Sequence, residues 1–223
     1  MTTPILETKQ LILRPPTMAD AQTVFDNWTS DPEVAEYMRW NVHETIDTTI
    51  QWITHVEQGL TNDKCFDWCF VLKETGEIFG SGGIFYDDSL KMFELGYCIM
   101  KKHWGQGLTT EAAQAIIDFA VNELKQTSFF LKHANGNIGS GKVAEKLGFI
   151  YQKDSTYPKF DGTVFQSREY LLTVQEKKCP NAPECSCPKT ECPNHGKCCS
   201  CVVKHREGGN LPHCLRFVLE EIK

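Results

Sequence analysis

Apolar positions along the first 173 residues alternate between stretches of two-residue period and stretches of helical period. Residues 11–14 (LILR) read as a short strand closed by Pro15 and Pro16, since proline cannot donate to a sheet ladder. Thr17 with Asp20 three residues on reads as a capping box. Ala21, Val24, Phe25 and Trp28 then recur on one helical face. Asp31 before Pro32 fits an N-cap and first helical position, opening a short helix through Met38. Ile46, Ile50, Ile53 and Leu60 mark another helix. Strands at 65–72, 78–86 and 92–100 follow as a meander, turning at Glu74-Thr-Gly-Glu77 and at 87–90. After a glycine-containing stretch, Ala113, Ile116, Ile117, Ala120 and Leu124 form the buried side of a helix over about 110–124. A strand at 129–133, a helix at 139–147 and a strand pair at 149–154 and 164–172 complete an α+β order.

The pattern stops near 174–178 (VQEKK), where composition changes. Eleven cysteines are present and eight of them fall between Cys179 and Cys214. Residues 177–223 hold 8 Lys/Arg against 5 Asp/Glu, a net of +3, which leaves −9 of the chain's −6 on the first 176 residues. We therefore expect a domain at 1–175 and a cysteine-rich one at 176–223. An acidic body argues against a nucleic-acid-binding face and fits either a basic substrate or simple solubility. No apolar run approaches the roughly 20 residues a bilayer span needs. The start, MTTPILETKQ, lacks a charged region before an apolar core, so the expectation is no membrane and a cytoplasmic location. In that compartment clustered cysteines point to metal before disulfides.

The stretch Trp104-Gly-Gln-Gly-Leu-Thr109 lies between a strand and a helix. Backbone N–H groups there sit at a positive helix end, and glycines let a ligand approach closely. That is what a pyrophosphate requires, although a plain turn can carry the same letters.

Around it stand Glu94-Leu-Gly-Tyr97, the continuation Thr-Glu-Ala112, Asn137-Ile-Gly-Ser140 and Glu145-Lys-Leu-Gly-Phe149. Together, over about residues 8–173, these resemble the GNAT acetyltransferase family in its RimJ/RimL-like branch. The resemblance implies a GNAT fold: a mixed central sheet with splayed strands, flanked by helices. It implies acetyl-CoA as cofactor, with the pantetheine arm in the splay against backbone of Ile99 and Met100. Trp104, Gly105, Gln106, Gly107, Leu108 and Thr109 would hold the phosphates, and Asn137 and Ser140 would face them. In the family's loop pattern, Trp104 takes the first position and Thr109 the last, where a smaller residue is usual.

Acetyl transfer to an amine needs a proton acceptor, a donor for the developing oxyanion and a donor for the departing thiolate. The resemblance implies Glu94 as base, often through water; a solvated strand-end Glu is the plainer alternative. Alternation puts Glu94, Gly96 and Cys98 on one face of the strand, and Leu95, Tyr97 and Ile99 on the other. The family's tyrosine acid would fall at Ala144, so it is absent. Ser140, or a water held by Asn137, is left to contribute a hydrogen bond; Tyr151 and Tyr157 stay open. Cys65, Cys69 and Cys98 read as small buried hydrophobes. His103 reads as a solvated loop residue. His133 and Trp28, Trp40 and Trp52 read as packing or as walls of an acceptor site. The expectation is an N-acetyltransferase acting on a protein N-terminus or a small amine by direct attack in a ternary complex. The alternative is a non-catalytic acyl-CoA-binding scaffold with a partner-binding or sensing tail.

In that tail Cys185, Cys187, Cys192, Cys198, Cys199, Cys201, His205 and Cys214 make eight ligand-type residues, enough for two closed, structural Zn2+ sites. So short a segment has too little apolar content to fold alone, so metal would supply stability. Recruitment of a protein partner is one role open to it.

Overall fold

The structure, a computed structural model, describes residues 2–59 and 63–174, with Cys201, Lys204, His205 and Gly208 beyond them. The chain divides into two units, Met1–Val174 and Gln175–Lys223.

The first unit opens with β1 (Leu6–Glu7), too short to show a period, and β2 (Leu11–Arg14). Beyond the two prolines, the Asp20 carboxylate accepts the Thr17 amide at 2.8 Å and its hydroxyl at 2.9 Å, and both Arg14 amino groups at 2.7 Å. This cap starts a 3-10 turn that runs into α1 (Ala21–Val24) and a π-helical turn at Phe25–Thr29, burying Ala21, Val24 and Trp28. Asp31 accepts the Glu33 amide at 2.8 Å and Pro32 opens α2 (Pro32–Ala35), which stops short of the expected Met38. Helix α3 covers Ile46–Gly59; Leu60 lies outside the described residues.

The remaining elements are β3 (Cys65–Leu72), β4 (Ile78–Asp87), β5 (Met92–Ile99), α4 (Leu108–Asn122), β6 (Ser128–Ala134), α5 (Ile138–Lys146), β7 (Ile150–Pro158) and β8 (Val164–Thr173). Eight strands form one sheet in the order β1-β2-β3-β4-β5-β6-β8-β7. Every pair is antiparallel except β5 with β6, so the sheet is mixed. β5 pairs with β4 along its whole length, from Met92 to Ile99. With β6 it pairs only at Phe93↔Phe129 and Glu94↔Phe130. Past Glu94 the two strands diverge and leave a wedge.

The register of β3, β4 and β5 sorts their side chains into two faces. On one, the rows Phe66/Ile84/Leu95, Trp68/Gly82/Tyr97 and Phe70/Gly80/Ile99 pack under α4. Phe119 of α4 meets Phe66 and Trp68 edge-on at 5.3 and 5.6 Å between ring centroids. Each of these fully buried rings contributes roughly 2–3 kcal/mol through area removed from water. On the other face the rows are Cys65/Phe85/Glu94, Asp67/Gly83/Gly96 and Cys69/Ser81/Cys98. Apart from Phe85 they are small or polar, and α1 and α3 cover them only in part, with Cys69 packing against Trp28 and Ile53. Among the described residues no helix is long and apolar enough to cross a membrane.

Candidate active site

The wedge leaves one edge of β5 without a strand partner. Met100 donates its N–H to the Phe79 carbonyl at 2.8 Å and accepts from His103 N at 3.1 Å, so its backbone is engaged within the protein. Pairing alternates along a strand, so the backbone groups of Leu95, Tyr97 and Ile99 face the wedge. The Trp104 indole N–H takes the Ile99 carbonyl at 3.1 Å, which fixes the half-exposed Trp104 at the start of the loop.

After a 3-10 turn (Lys101–His103) the chain passes Gly105, at φ +76°, and Gly107, at φ +84°, and enters α4. At such angles a side chain is strained by about 1–2 kcal/mol, which is why glycine stands at the N-cap. The first helical bond is Glu111 N to Gly107 O. The amides of Leu108, Thr109 and Thr110 have no intrahelical acceptor, and among the described residues no side chain caps this end. Gln106 turns its amide back to Lys102 O at 2.9 Å. Leu108 is buried, and Thr109 lies within the first helical turn rather than in the glycine bend. At the other side of that turn the Glu111 carboxylate holds Thr8 Oγ1 at 2.6 Å and the Gln10 amide at 2.8 Å, tying α4 to the edge of the sheet. An unpaired strand edge leading to an uncapped positive helix end suits a ligand with amide groups along one arm and phosphates at its end. These features fit acetyl-CoA.

The wedge opens into a cavity of 680 Å3 on the small-residue face. Its floor is Asp67, Ser81, Gly83, Glu94, Gly96 and Cys98; Trp28, Trp40, Trp52 and His55 wall one side, and Lys132, His133, Asn137, Ser140 and Tyr157 the other. All three tryptophans read as packing or acceptor wall therefore border it. Glu94, at the last position of β5 paired with β6, keeps 26% of its side chain accessible. Burial raises its carboxyl above the ordinary range, opposed by the charges of Arg39 and Lys132. Arg39 Nη1 lies 4.0 Å from Glu94 Oε2. Both cations also lie over the Tyr157 ring, at 5.7 and 5.9 Å.

Asn137 caps α5 by accepting the Ser140 amide at 3.0 Å, and the Ser140 hydroxyl lies 3.0 Å from that of Tyr97. Burial pushes the Tyr97 phenol well up, so it stays protonated. Ala144 is fully buried in the core. Tyr157 donates its hydroxyl to Tyr37 O at 3.0 Å. Tyr151 is half-exposed on β7 against Tyr170, and it does not line the cavity.

His103 differs from its sequence reading. His103 is packed edge-on against Phe79 at 5.2 Å and bonded to Glu77 Oε2 at 2.9 Å, since the 3-10 turn folds it inward; it is not a solvated loop residue. His133 is buried, stacks on Tyr170 at 5.2 Å and is held towards its neutral form by burial. Burial raises the thiols of Cys65 and Cys69 to about 12 and that of Cys98 to about 11. Arg39, Lys132 and Asp67 belong to none of the sequence motifs. Only for Asp67 does the strand itself, CFDWCFVL, carry a signal: an acid amid apolar neighbours.

Of the eight tail ligands, Cys201 and His205 are described, both on helical turns, and the other six lie outside the described residues. Among the described residues no group of three or more His, Cys, Asp or Glu could hold a metal.

A family model described as acetyltransferase (GNAT) domain matches residues 10–150. The chain is 29% identical over 175 residues to the uncharacterized N-acetyltransferase p20 of Bacillus licheniformis, covering 77% of this chain and 97% of that protein. Among solved structures, an acetyltransferase from Agrobacterium tumefaciens is 26% identical with a TM-score of 0.62, over 77% of this chain and 95% of its own. RimL, a ribosomal L7/L12 α-N-protein acetyltransferase in complex with coenzyme A, shares the fold at 15% identity. Its TM-score is 0.68, over 77% of this chain and 98% of that one.

Proposed function

Because the chain belongs to the GNAT acetyltransferase family and is thereby an acyltransferase, we propose that it moves the acetyl group of acetyl-CoA to a primary amine seated in the cavity beside Glu94. The observation that carries this reading is the position of Glu94. It is a partly buried carboxylate at the point where β5 and β6 part, facing the cavity.

When bound, acetyl-CoA supplies the activated carbonyl and a thiolate that leaves readily. The protein's own part begins with the α4 amides, which would hold phosphate oxygens, and the wedge-facing backbone groups of Leu95 and Tyr97 with the Ile99 amide, which would orient the arm. Glu94 takes the proton from the incoming ammonium, directly or through a water. Burial raises its carboxyl and makes it a stronger base than an exposed one, while the charges of Arg39 and Lys132 oppose that rise. The hydroxyls of Ser140 and Tyr97 form a short donor chain at the wedge that can serve the departing sulfur, with Asn137 holding α5 in place. Direct attack in a ternary complex is supported by the cysteines: with their thiols raised so far, Cys65, Cys69 and Cys98 are protonated and poor nucleophiles.

The test is Glu94→Gln. Turnover falls while coenzyme A still binds; unchanged turnover would remove Glu94 from the mechanism.

For the tail, the proposal of two structural Zn2+ rests on its donor set, seven thiols and one imidazole in a short segment. Metal analysis of the purified, reduced protein checks it: zinc near two per chain supports the sites, and metal-free protein of unchanged stability contradicts them. A tail that recruits a protein partner remains part of this reading only if those sites hold.

A further inference from the structure

The cavity floor carries a second carboxylate that acetyl transfer as described leaves unused. Asp67 lies in the middle of β3, only 7% exposed, and lines the cavity. Its Oδ2 accepts a weak bond from the Cys65 thiol at 3.4 Å, and among the described residues nothing donates to Oδ1. A buried carboxylate is normally paired, because removing its charge from water is costly unless a cation or strong donors replace the solvent. The space around it is kept open by the neighbouring strand. A Cβ at Gly83 would stand 2.9 Å from Asp67 Oδ1 and 2.2 Å from Phe66 O, so no other residue fits there. Gly96, next in the same row, has no side chain to block the path to Glu94.

The two carboxylates have opposite surroundings. Arg39 and Lys132 act on Glu94, so that end favours a neutral amine, which is the reacting form. Among the described residues the partners of Asp67 are the Cys65 thiol and His55, an exposed residue of α3 at the cavity wall, and its end favours a cation. Two strand spacings and two residues along the chain put their Cα atoms about 12 Å apart. Both side chains rise from the same face of the sheet, so their carboxyl groups stand roughly as far apart as their Cα atoms, and allowing roughly 3 Å for a hydrogen bond at each end leaves about 6 Å, close to the nitrogen-to-nitrogen span of a four-carbon diamine. Trp40, Trp52 and Phe85 line the same cavity and offer rings to its methylenes.

We propose that Asp67 is a specificity-determining residue that anchors the far ammonium of a doubly cationic acceptor, leaving its other nitrogen at Glu94. This rests on the reading of the cavity as the acceptor site. The full-length protein loaded with coenzyme A is titrated calorimetrically with diaminobutane and with butylamine, and acetylation of both is measured with acetyl-CoA. The wild-type protein binds the diamine roughly 10- to 100-fold more tightly, the value of a hydrogen-bonded charge pair, with the same preference in kcat/KM. Asp67→Asn erases the preference, with the loss falling on the diamine. Equal binding of the two amines by the wild-type protein overturns the proposal without recourse to any variant. So does a loss in Asp67→Asn that falls equally on both amines, as a purely structural role would produce. A preference in binding with no acetylation of either amine leaves Asp67 as the anchor and removes the reading of the cavity as the acceptor site instead.

Discussion

The two faces of β3, β4 and β5 are built from the same three strands and do opposite work. Under α4 the rows hold Phe66, Trp68, Phe70, Ile84 and Leu95, all buried and in ring or aliphatic contact. On the far side the rows hold two carboxylates, two glycines, a serine, a phenylalanine and three cysteines, and a cavity lies over them. The first face stabilises the sheet firmly enough for the second to keep an unpaired acid and an open strand edge. Proteins concentrate such local violations at sites of function and offset them elsewhere.

Substitutions on the two faces should have opposite consequences. On the cavity face, Glu94→Gln is expected to lower kcat by about two to four orders of magnitude, the usual contribution of a general base. Its melting temperature and coenzyme A binding should stay at the wild-type level. On the closed face, Phe66→Ala is expected to cost about 3–5 kcal/mol of folding stability by denaturant titration, since the ring is wholly buried among Trp68, Phe93 and Phe119.

Asp67→Asn should do the reverse of Phe66→Ala. Burial raises the Asp67 carboxyl to about 6 in the folded chain, from 3.8 when unfolded. The folded state therefore holds a proton that the unfolded state has already lost, and stability falls as pH rises from about 4 to about 6, then levels off. Asn removes that penalty, so the variant should be more stable than wild type above pH 6, by about 1–3 kcal/mol. Below about pH 4 the two should coincide. Urea titrations at both ends of the range measure this directly. The smallest effect is expected for Gly107→Ala, with roughly 1 kcal/mol of backbone strain at φ +84° appearing as weaker coenzyme A binding and a slightly lower melting temperature.

How far the sequence showed this depends on what each feature is made of. Strand β3 emerged at its observed bounds because residues 65–72 are bounded by turns and rich in aromatic and β-branched side chains. The cap at Thr17 and Asp20 and the one at Asp31 were legible because capping is local. The two-residue β1 was not, having no period to read. Nor does any periodicity reveal that β5 and β6 part after Glu94. A splay is the absence of a partner, and pairing partners are set by the whole fold; it was reached through the likeness of three motifs.

Glu94, the loop and Asn137 came from those motifs. Asp67 belongs to none, and its meaning depends on Gly83 and Gly96, which join it only through strand register. Arg39 comes from the segment after α2 and Lys132 from β6, and the fold alone brings them to Glu94.

The measurement that tests the central claim most directly is a calorimetric titration of the reduced, full-length protein with acetyl-CoA and, separately, with coenzyme A. An open edge on β5 and an uncapped α4 predict micromolar binding of both. Absence of binding by either would contradict the account, because the wedge and the helix end would then have no ligand to explain them.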